Sequence, residues 1–428
     1  MAKETSTKLR NQIIYSVYVR NHTEEGTFRA LQADLERIQA LGTDIIWLMP
    51  IHPIGVKGKK GSLGCPYAIA DYRAINPDYG TMEDFERLVE RIHALGMKCI
   101  IDVVYNHTSQ DSVLLKRHPE YFYHKQDGSF GNKCGEWGDV YDLDYNVKEL
   151  WDEQIETLKY WAGYVDGFRC DVASCVPVDF WCEARKAVKS VNKDCIWLAE
   201  SVHPAMIYDY RQKGLQIDTD AELYEAFDVE YQYDIVTYFD RYLAGEGTLK
   251  EYLDSVCNQE VIYPLNYNKL RYLENHDSDR ICSKVKDRDA LYSWTAFLYL
   301  MKGTTLLYAG QEVCNDNTPS LFEKDTVDWE KENISEYIAR LGQIKKKYVQ
   351  SDFSYKAYVA EGKKDIAVVE HIAGGLKVCG VFGFGTERGV VKVPLGDGCY
   401  KNLVDDSQII VKEGSLELKE MPIIISAE

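Results

Sequence analysis

The sequence has no long hydrophobic run. No stretch approaches the roughly 18 to 20 consecutive apolar residues that a helix needs to span a bilayer, which argues against a membrane partner. The opening residues MAKETSTKLR are polar and charged and lack the apolar core of a signal peptide. We therefore expect a cytoplasmic protein, or a secreted one if a leader was trimmed from this chain.

Basic residues are scarce relative to acidic ones. Fifty Lys and Arg stand against 68 Asp and Glu, which gives a formal net charge of −18. Because phosphate groups are bound through basic surfaces, this balance argues against a nucleic-acid partner. It suits a soluble protein with a neutral substrate.

Closely spaced cysteine pairs are also missing. The 12 cysteines are scattered singly, and no CxxC occurs. Most of them lie in apolar, strand-like runs, so we interpret them as reduced core residues rather than a disulfide framework.

Strand-like and helix-like segments, by contrast, alternate along most of the chain. Strand-like runs are predicted at 12–19, 43–50, 97–107, 166–172, 195–201, 226–232, 269–276 and 304–309. Helical periodicity is found at 28–42, 81–96, 147–163, 179–190, 287–301 and 333–347. Thr81 is a predicted N-cap for the second of these helices. Eight strands with intervening helices predict an α/β fold, a (β/α)8 TIM barrel.

Two segments depart from this alternation. Residues 108–146 are rich in aromatic, charged and glycine residues and predict a short excursion domain after the third strand. Beyond about residue 350 the pattern becomes that of short antiparallel strands, which predicts a β-sandwich. We therefore expect a barrel at 1–107 and 147–349, an excursion domain at 108–146 and a C-terminal β-sandwich at 350–428.

Three acidic residues each close a strand-like run. Asp171 ends GFRCD, Glu200 ends CIWLAE and Asp277 ends LRYLENHD. In a parallel barrel the catalytic groups gather at the carboxyl ends of the strands. Cleavage of a glycosidic bond needs a nucleophile, a proton donor and a stabilising negative charge, and these three acids supply that set. For any single one of them, the alternative is a solvated acid or an ion-pair partner.

The neighbours of two of these acids predict their charge states. Arg169 lies two residues before Asp171 and shares its face of the strand, where a positive charge would hold Asp171 ionised. Glu200 follows the apolar residues 196–199, a setting that is expected to raise its pKa towards neutrality.

Four short segments resemble the signature segments of the α-amylase family of glycoside hydrolases, glycoside hydrolase family 13. They are DVVYNH (102–107), GFRCD (167–171), LAES (198–201) and ENHD (274–277), in the family's order and at its usual separations. Two flanking segments, LDYN and TTLLYAGQE, also match. The excursion and the β-sandwich would be the family's domains B and C.

The resemblance implies a role for each of the three acids. Asp171 would be the nucleophile, Glu200 the general acid/base and Asp277 the transition-state stabiliser. Four further residues are expected to bind substrate: Tyr67, His107, Arg169 and His276. The two histidines match those that hydrogen-bond sugar hydroxyls at the cleaved residue, and Tyr67 matches the aromatic on which that sugar stacks. Core packing is the alternative reading for Tyr67.

Four more residues are candidates for supporting roles. Asp102 and Asn106 are expected to support the barrel rim, and Asp71 and Arg280 are candidates for the sugar-binding shell.

One departure from the family argues against a required metal. Many members carry Lys and His three and four residues after the nucleophile, where this chain has Ser174 and Cys175. That histidine contributes to a calcium site, which leaves Asn106 as one oxygen ligand, whereas calcium takes six to eight. We expect no required cofactor and no metal, with Asn106 a ligand only if calcium binds.

These observations predict a retaining hydrolase that cleaves α-1,4 bonds of maltooligosaccharides or starch fragments through a glycosyl-enzyme intermediate on Asp171. The expected partner is an α-1,4-linked glucan or maltooligosaccharide, and we expect a monomer. Two alternatives stay open. One is a transglycosylase or an α-1,6-acting glucosidase that uses the same residues. The other is a non-catalytic α-glucan-binding relative, although such proteins usually lose one of the acids.

Overall fold

The computed structural model describes residues 4–349 and 351–427. Residues 1–3, 350 and 428 belong to the predicted domain ranges but lie outside the described residues. In chain order the first ten strands are β1 Ile13–Val17, β2 Ile45–Leu48, β3 Lys98–Val103, β4 His107–Ser109, β5 Val140–Asp142, β6 Gly167–Cys170, β7 Ile196–Ala199, β8 Val229–Tyr231, β9 Lys269–Arg271 and β10 Thr304–Tyr308.

Eight of these strands close into a parallel barrel. Their order around it is β1, β10, β9, β8, β7, β6, β3 and β2. Both faces of the strands are buried, one against the helices and the other in an interior cluster that includes Ile14, Trp47, Ile100, Leu198 and Leu306. Burial on both faces is the reason that the strands read as continuous apolar runs. Each predicted run contains one barrel strand, so the predicted (β/α)8 fold is confirmed.

The helices of the described residues lie mostly between successive barrel strands. They are α1 Val19–His22, α2 Phe28–Ala33, α3 Leu35–Ala40, α4 Met82–Ala94, α5 Val113–Arg117, α6 Lys148–Ala162, α7 Val178–Val188, α8 Pro204–Gln212, α9 Asp220–Leu223, α10 Tyr233–Leu243, α11 Leu249–Ile262, α12 Ile281–Lys284, α13 Arg288–Leu300 and α14 Ser335–Tyr348. Within residues 4–349 and 351–427, none of them has the length and apolar character that a membrane crossing requires.

Two predictions about the helices have different outcomes. Thr81 caps α4 through a reciprocal capping box with Asp84, as predicted. The single helix predicted at 28–42 is instead divided at Asp34 into α2 and α3. The Asp34 carboxylate accepts hydrogen bonds from Arg37 Nε at 2.8 Å and Nη2 at 2.6 Å and lies 2.8 Å from His22 Nε2, so tertiary contacts hold this residue at the junction.

The third strand is shorter than predicted because the chain leaves the barrel early. β3 ends at Val103, and His107 begins β4, which pairs antiparallel with β5. His107 therefore belongs to the small sheet of the excursion rather than to the barrel. This sheet lies above the carboxyl end of β3 and brings excursion residues to the mouth of the barrel.

The C-terminal part is built from antiparallel strands, as predicted. They are β11 Ser354–Val359, β12 Ile366–Ala373, β13 Leu376–Gly383, β14 Gly389–Lys392, β15 Gly398–Lys401, β16 Gln408–Val411, β17 Ser415–Leu418 and β18 Ile423–Ala427. β11, β12, β13 and β18 form a four-stranded sheet, and β14–β17 and β15–β16 form two pairs. The Phe384 ring stacks on Trp294 of α13 with centroids 3.7 Å apart, which joins this domain to the barrel. The residue boundaries of the three domains remain predictions.

Candidate active site

The three predicted acids meet at the carboxyl end of the barrel. Asp171 directly follows β6 and Glu200 directly follows β7. Asp277 reaches the same place from a turn, because β9 ends at Arg271 and the predicted strand to residue 276 is wrong beyond that point. All three line one cavity of about 370 Å³.

A local hydrogen-bond network makes the turn that presents Asp277. The buried Glu274 carboxylate accepts from Arg280 Nη1 at 2.7 Å and from the Ile281 N–H at 2.7 Å. The Asn275 side-chain oxygen accepts the Asp277 N–H at 3.0 Å. These bonds replace the strand ladder and direct the Asp277 side chain into the cavity, where it is 40% exposed.

Arg169 is the centre of the acid cluster. Its Nη1 lies 2.9 Å from both Asp102 Oδ1 and Asp171 Oδ1, and its Nη2 lies 3.0 Å from Glu200 Oε2. Its side chain is fully buried and is not part of the cavity lining. Its donors are directed at the carboxylates, which it positions, and contact of Arg169 with the substrate stays a prediction.

Burial dominates the charge states of the two central acids. It raises the pKa of Asp171 to about 7, although Arg169 opposes this shift. It likewise raises the pKa of Glu200 to about 7, again against Arg169. The prediction for Glu200 is confirmed. Arg169 acts to lower the pKa of Asp171, in the predicted direction, but burial outweighs it and the charge on Asp102 adds to the upward shift.

The residue after Asp171 has a strained backbone. Val172 is a β-branched residue with φ of 35° and ψ of 48°, in the left-handed region. In this conformation its N–H donates to Glu200 Oε2 at 2.7 Å. Such strain persists where surrounding structure imposes it, often at functional sites. Here it supplies a hydrogen bond that fixes Glu200 beside Asp171.

A second chain of contacts holds Asp277. His276 Nε2 lies 3.0 Å from Asp277 Oδ2 and 2.7 Å from the Tyr67 hydroxyl, which donates to Asp102 at 3.0 Å. Burial opposes protonation of His276, but Asp277 outweighs it and raises the histidine pKa. Enclosure in the cavity acts to raise the pKa of Asp277, but His276 and Arg169 hold it below its usual value. Asp277 is thus favoured as a permanent negative charge.

The remaining predicted substrate-binding residues lie in the cavity lining. His107 Nε2 is 3.9 Å from Asp171 Oδ2, and burial lowers the His107 pKa, which favours the neutral imidazole. The Tyr67 ring lies nearly parallel to His276, with centroids 5.4 Å apart. Tyr67, His107 and His276 all border the space beside the acids. Contact with a sugar remains a prediction for each of them.

The four supporting candidates do not line the cavity. Asp102 is fully buried and accepts from Arg169, Tyr67 and Trp47 Nε1, so it supports the cluster from below. Asn106 is buried beside His107. Asp71 and Arg280 also lie outside the cavity lining, and their membership of the sugar-binding shell stays a prediction.

Each of the two displaced candidates has another local role. The Asp71 carboxylate accepts the Arg73 N–H at 3.0 Å within a loop. Arg280 binds Glu274 and stacks on Tyr308 at 4.3 Å, below the Asp277 turn. The sequence could not reveal these contacts of Asp71 and Arg280, because neither the residue type nor the position near a signature segment separates them from contact with a sugar.

Asn106 lies in a poor environment for a metal. Its Nδ2 is 3.1 Å from His107 Nδ1 and 3.4 Å from Asp142 Oδ1. The other Asp142 oxygen accepts the Lys133 N–H at 2.7 Å. A single carboxylate that is already bonded to donors does not fit the six to eight oxygens that calcium takes. Among the residues that the structure describes, no group of three or more His, Cys, Asp or Glu side chains forms a metal site.

Several cavity residues were missed by sequence reasoning. They are Lys60, Cys65, Trp137, Asp139, Val140, Val172, Ser201, Val202, His203, Met206, Tyr233, Leu321 and Phe322. Those that follow β7 and β8 by a few residues could have been found from strand-end position alone. The others come from long loops, where no periodicity indicates which side chains face inward.

The chain matches known families along nearly its whole length. Residues 12–137 and 135–365 match the model of the α-amylase catalytic domain, and residues 358–425 match that of the bacterial α-amylase C-terminal domain. An α-amylase of Haloarcula japonica is 28% identical over 313 residues, which cover 71% of this chain and 44% of that protein. An α-1,4-glucan:maltose-1-phosphate maltosyltransferase of Streptomyces coelicolor is 32% identical over 216 residues, 46% of this chain and 32% of that protein. The chain spans less than half the length of these two relatives.

Two solved structures agree with the fold over the full chain. An α-amylase from Lactobacillus plantarum is 43% identical, with a TM-score of 0.95 over 99% of this chain and 100% of that one. A noncanonic maltogenic α-amylase from Thermotoga neapolitana is 33% identical, with a TM-score of 0.87 over 98% and 99%. The chain belongs to the α-amylase family of glycoside hydrolases, and it is an enzyme.

Proposed function

We propose that the enzyme is a retaining hydrolase of α-1,4 bonds in maltooligosaccharides or starch fragments. The observation that carries this proposal is the contact of Asp171 and Glu200 with opposite nitrogens of one guanidinium, in a cavity that also contains Asp277. Two carboxyls held close together suit a mechanism in which one attacks the sugar directly. An inverting enzyme needs a wider separation that leaves room for a water molecule between them.

In the first step Asp171 attacks the anomeric carbon and Glu200 protonates the glycosidic oxygen. The bond from Asp171 to the sugar forms as the glycosidic bond breaks, and its electron pair leaves with the protonated oxygen. Positive charge develops on the sugar ring in the transition state. Asp277, whose pKa is lowered by His276, is placed to stabilise that charge.

The raised pKa values of Asp171 and Glu200 support these roles of nucleophile and proton donor. Asp171 and Glu200 both have pKa values raised to about 7 by burial. Such a pair titrates as a unit, so near neutral pH it holds about one proton. One ionised and one protonated carboxyl is the state that attack and proton donation require together.

In the second step Glu200, now ionised, takes a proton from the incoming nucleophile, whose oxygen attacks the anomeric carbon. The bond from the sugar to Asp171 breaks and its electron pair returns to the Asp171 carboxylate, while Glu200 is left protonated as at the start. Water gives hydrolysis, while a sugar hydroxyl gives transfer. The transfer reaction is the second candidate, because several curated relatives are named maltosyltransferases. An α-1,6-acting glucosidase would use the same residues, and isomaltose tests for it.

We also propose that the reaction requires no metal. Asp142 is already bonded to the donors of Asn106 and Lys133, which supports a domain interface that holds together without calcium. Activity should therefore persist in the presence of a chelator.

The test is a product time course with the purified protein on maltoheptaose, with and without EDTA. Release of α-anomeric products, followed by proton NMR before mutarotation, would support a retaining α-1,4 hydrolase. Products longer than the substrate would favour transfer. Faster turnover of isomaltose or panose than of maltotetraose would contradict the proposed preference for α-1,4 bonds. The absence of turnover by folded protein would overturn the hydrolase proposal, and inactivation by EDTA would overturn the metal proposal.

A further inference from the structure

The catalytic cavity has two different sides. On one side, Val202, His203 and Met206 follow Glu200 along the chain and Tyr233 lies next to them. Because Glu200 donates its proton to the leaving oxygen, the leaving part of the glucan extends towards this side. The retained part, the glycon, must therefore extend towards the opposite side.

The lining residues of the opposite side form a feature that we call the glycon wall. It consists of cavity-lining residues from three loops: Lys60, Trp137, Asp139, Leu321 and Phe322. Two of these loops follow β2 and β10, which flank β1 across the closed barrel from β7 and β8. The Trp137 ring packs against His107 with centroids 5.3 Å apart, and His107 lies 3.9 Å from Asp171. The glycon wall thus begins at Trp137, next to the His107 ring that borders Asp171.

Two of the three loops are joined by hydrogen bonds from main-chain N–H groups. The Leu63 N–H donates to the Phe322 carbonyl at 3.1 Å, and the Ser62 N–H donates to Glu323 Oε1 at 2.8 Å. At the contact of the two loops, Gly61 has a φ of 64°, and a Cβ atom on this residue would lie 2.6 Å from the Phe322 Cβ. Only glycine allows this approach, so the loop around Lys60 is held against the loop around Phe322.

An ion pair joins these two loops to the excursion domain. Lys60 Nζ lies 3.2 Å from Asp139 Oδ1 and 6.0 Å from the Phe322 ring centroid. The Asp139 side chain is only 5% exposed, whereas that of Lys60 is 40% exposed. Asp139 is therefore a fixed anchor, and Lys60 reaches across the cavity to it.

We propose that the Lys60–Asp139 ion pair closes the glycon end of the cleft, so that the enzyme takes up the non-reducing end of the glucan and releases short products. This inference rests on the proposed α-1,4 hydrolysis and adds an exo mode of attack to it. The volume of about 370 Å³ lies at the lower end of the range of about 300–1,000 Å³ for ligand pockets.

The experiment uses maltoheptaose that carries a chromophore at its reducing end, either free or blocked by a 4,6-acetal at its non-reducing end. An exo enzyme needs the free end, so the wild-type protein should cleave the blocked substrate at least about tenfold more slowly. The Lys60→Ala variant should regain about tenfold in rate on the blocked substrate and should release longer products. Asp139→Asn keeps the shape of its side chain, removes the charge and should change the products in the same direction.

Lys57→Ala is the matched control. Lys57 is an exposed lysine of the same loop that does not line the cavity, so its loss changes the charge equally but leaves the wall intact. This variant should keep the wild-type products. Thermal unfolding of each variant checks that the barrel is intact.

The outcomes separate the two proposals. Equal cleavage of free and blocked substrates by the wild-type protein would overturn the exo mode while the hydrolase proposal stands. Wild-type products from both Lys60→Ala and Asp139→Asn would overturn the role of the ion pair. If folded wild-type protein cleaves neither substrate, the hydrolase proposal fails and the exo mode fails with it.

Discussion

A single buried cation organises the residues of the site. Arg169 contacts Asp102, Asp171 and Glu200 within 2.9–3.0 Å, so that one positive charge serves three carboxyls. Burial then raises the pKa of all three, to about 6 for Asp102 and about 7 for the other two. The arrangement stores a proton where the reaction needs one.

Loss of either central acid should remove activity. Asp171→Asn and Glu200→Gln are each expected to lower kcat by about 10³-fold or more, because nucleophilic attack and proton donation are lost. Initial rates on maltoheptaose measure the effect. Asp152→Asn is the matched control, since Asp152 is exposed on α6, does not line the cavity and should leave the rate close to wild type. Retention of more than about a hundredth of wild-type activity in the first two variants would contradict the assigned roles.

The pH dependence of the rate should be bell-shaped. At low pH both central carboxyls are protonated and no nucleophile is available, whereas at high pH both are ionised and no proton donor remains. Since both pKa values lie near 7, kcat/KM should be highest close to neutrality and fall on either side. A rate that stays constant between pH 5 and pH 9 would rule out this coupling.

The same pKa shifts predict an effect on stability. An aspartate in the unfolded chain loses its proton near pH 4, while folded Asp171 keeps it until about pH 7. Folding therefore becomes less favourable as pH rises through this window. Asp171→Asn cannot ionise, so it should raise the free energy of unfolding by about 1–3 kcal/mol at pH 8 and by much less at pH 4.5. Urea unfolding at both pH values measures this, and an equal change at both would refute it.

At the scale of elements, local sequence patterns predicted helices and strands correctly where tertiary packing favours the same structure. Thr81 and Asp84 form the box that starts α4, and the barrel strands appear wherever an apolar run is buried on both faces. Signals failed where a tertiary contact competes. Asp34 divides a helix through its bonds to Arg37 and His22, and no helix was predicted between residues 232 and 269, where α10 and α11 lie.

The α4 cap gives a prediction at this scale. Thr81→Ala removes the side-chain acceptor of the Asp84 N–H and should lower the free energy of unfolding by about 1 kcal/mol. Thr81→Ser retains a hydroxyl and should therefore keep most of the free energy of unfolding that Thr81→Ala loses. Urea unfolding of the three proteins at one pH decides the point, and an equal loss in both variants would contradict the capping role.

For the whole molecule, we expect the stability of the barrel to depend on the C-terminal domain. Phe384 stacks on Trp294 of α13, and both side chains are buried at the contact. Phe384→Ala should lower the free energy of unfolding by about 3–5 kcal/mol, because it leaves a cavity between the domains. Val390→Ala, at a position that is 66% exposed in β14, is the control and should have little effect. An unchanged midpoint of thermal unfolding for Phe384→Ala would mean that the domains are energetically independent.

The sequence by itself determined the barrel, the antiparallel tail and the three acids, because burial on both faces and strand-end position leave local patterns. Only the tertiary structure decided what these groups do to one another. It placed Arg169 beneath the acids, left Asp71 and Arg280 outside the cavity lining, and raised the pKa of Asp171 by burial against the effect of Arg169. It also brought Lys60 to Asp139, although their positions in the sequence differ by 79. Desolvation and loop closure are properties of the assembled chain, so residue order alone does not encode them in any local pattern.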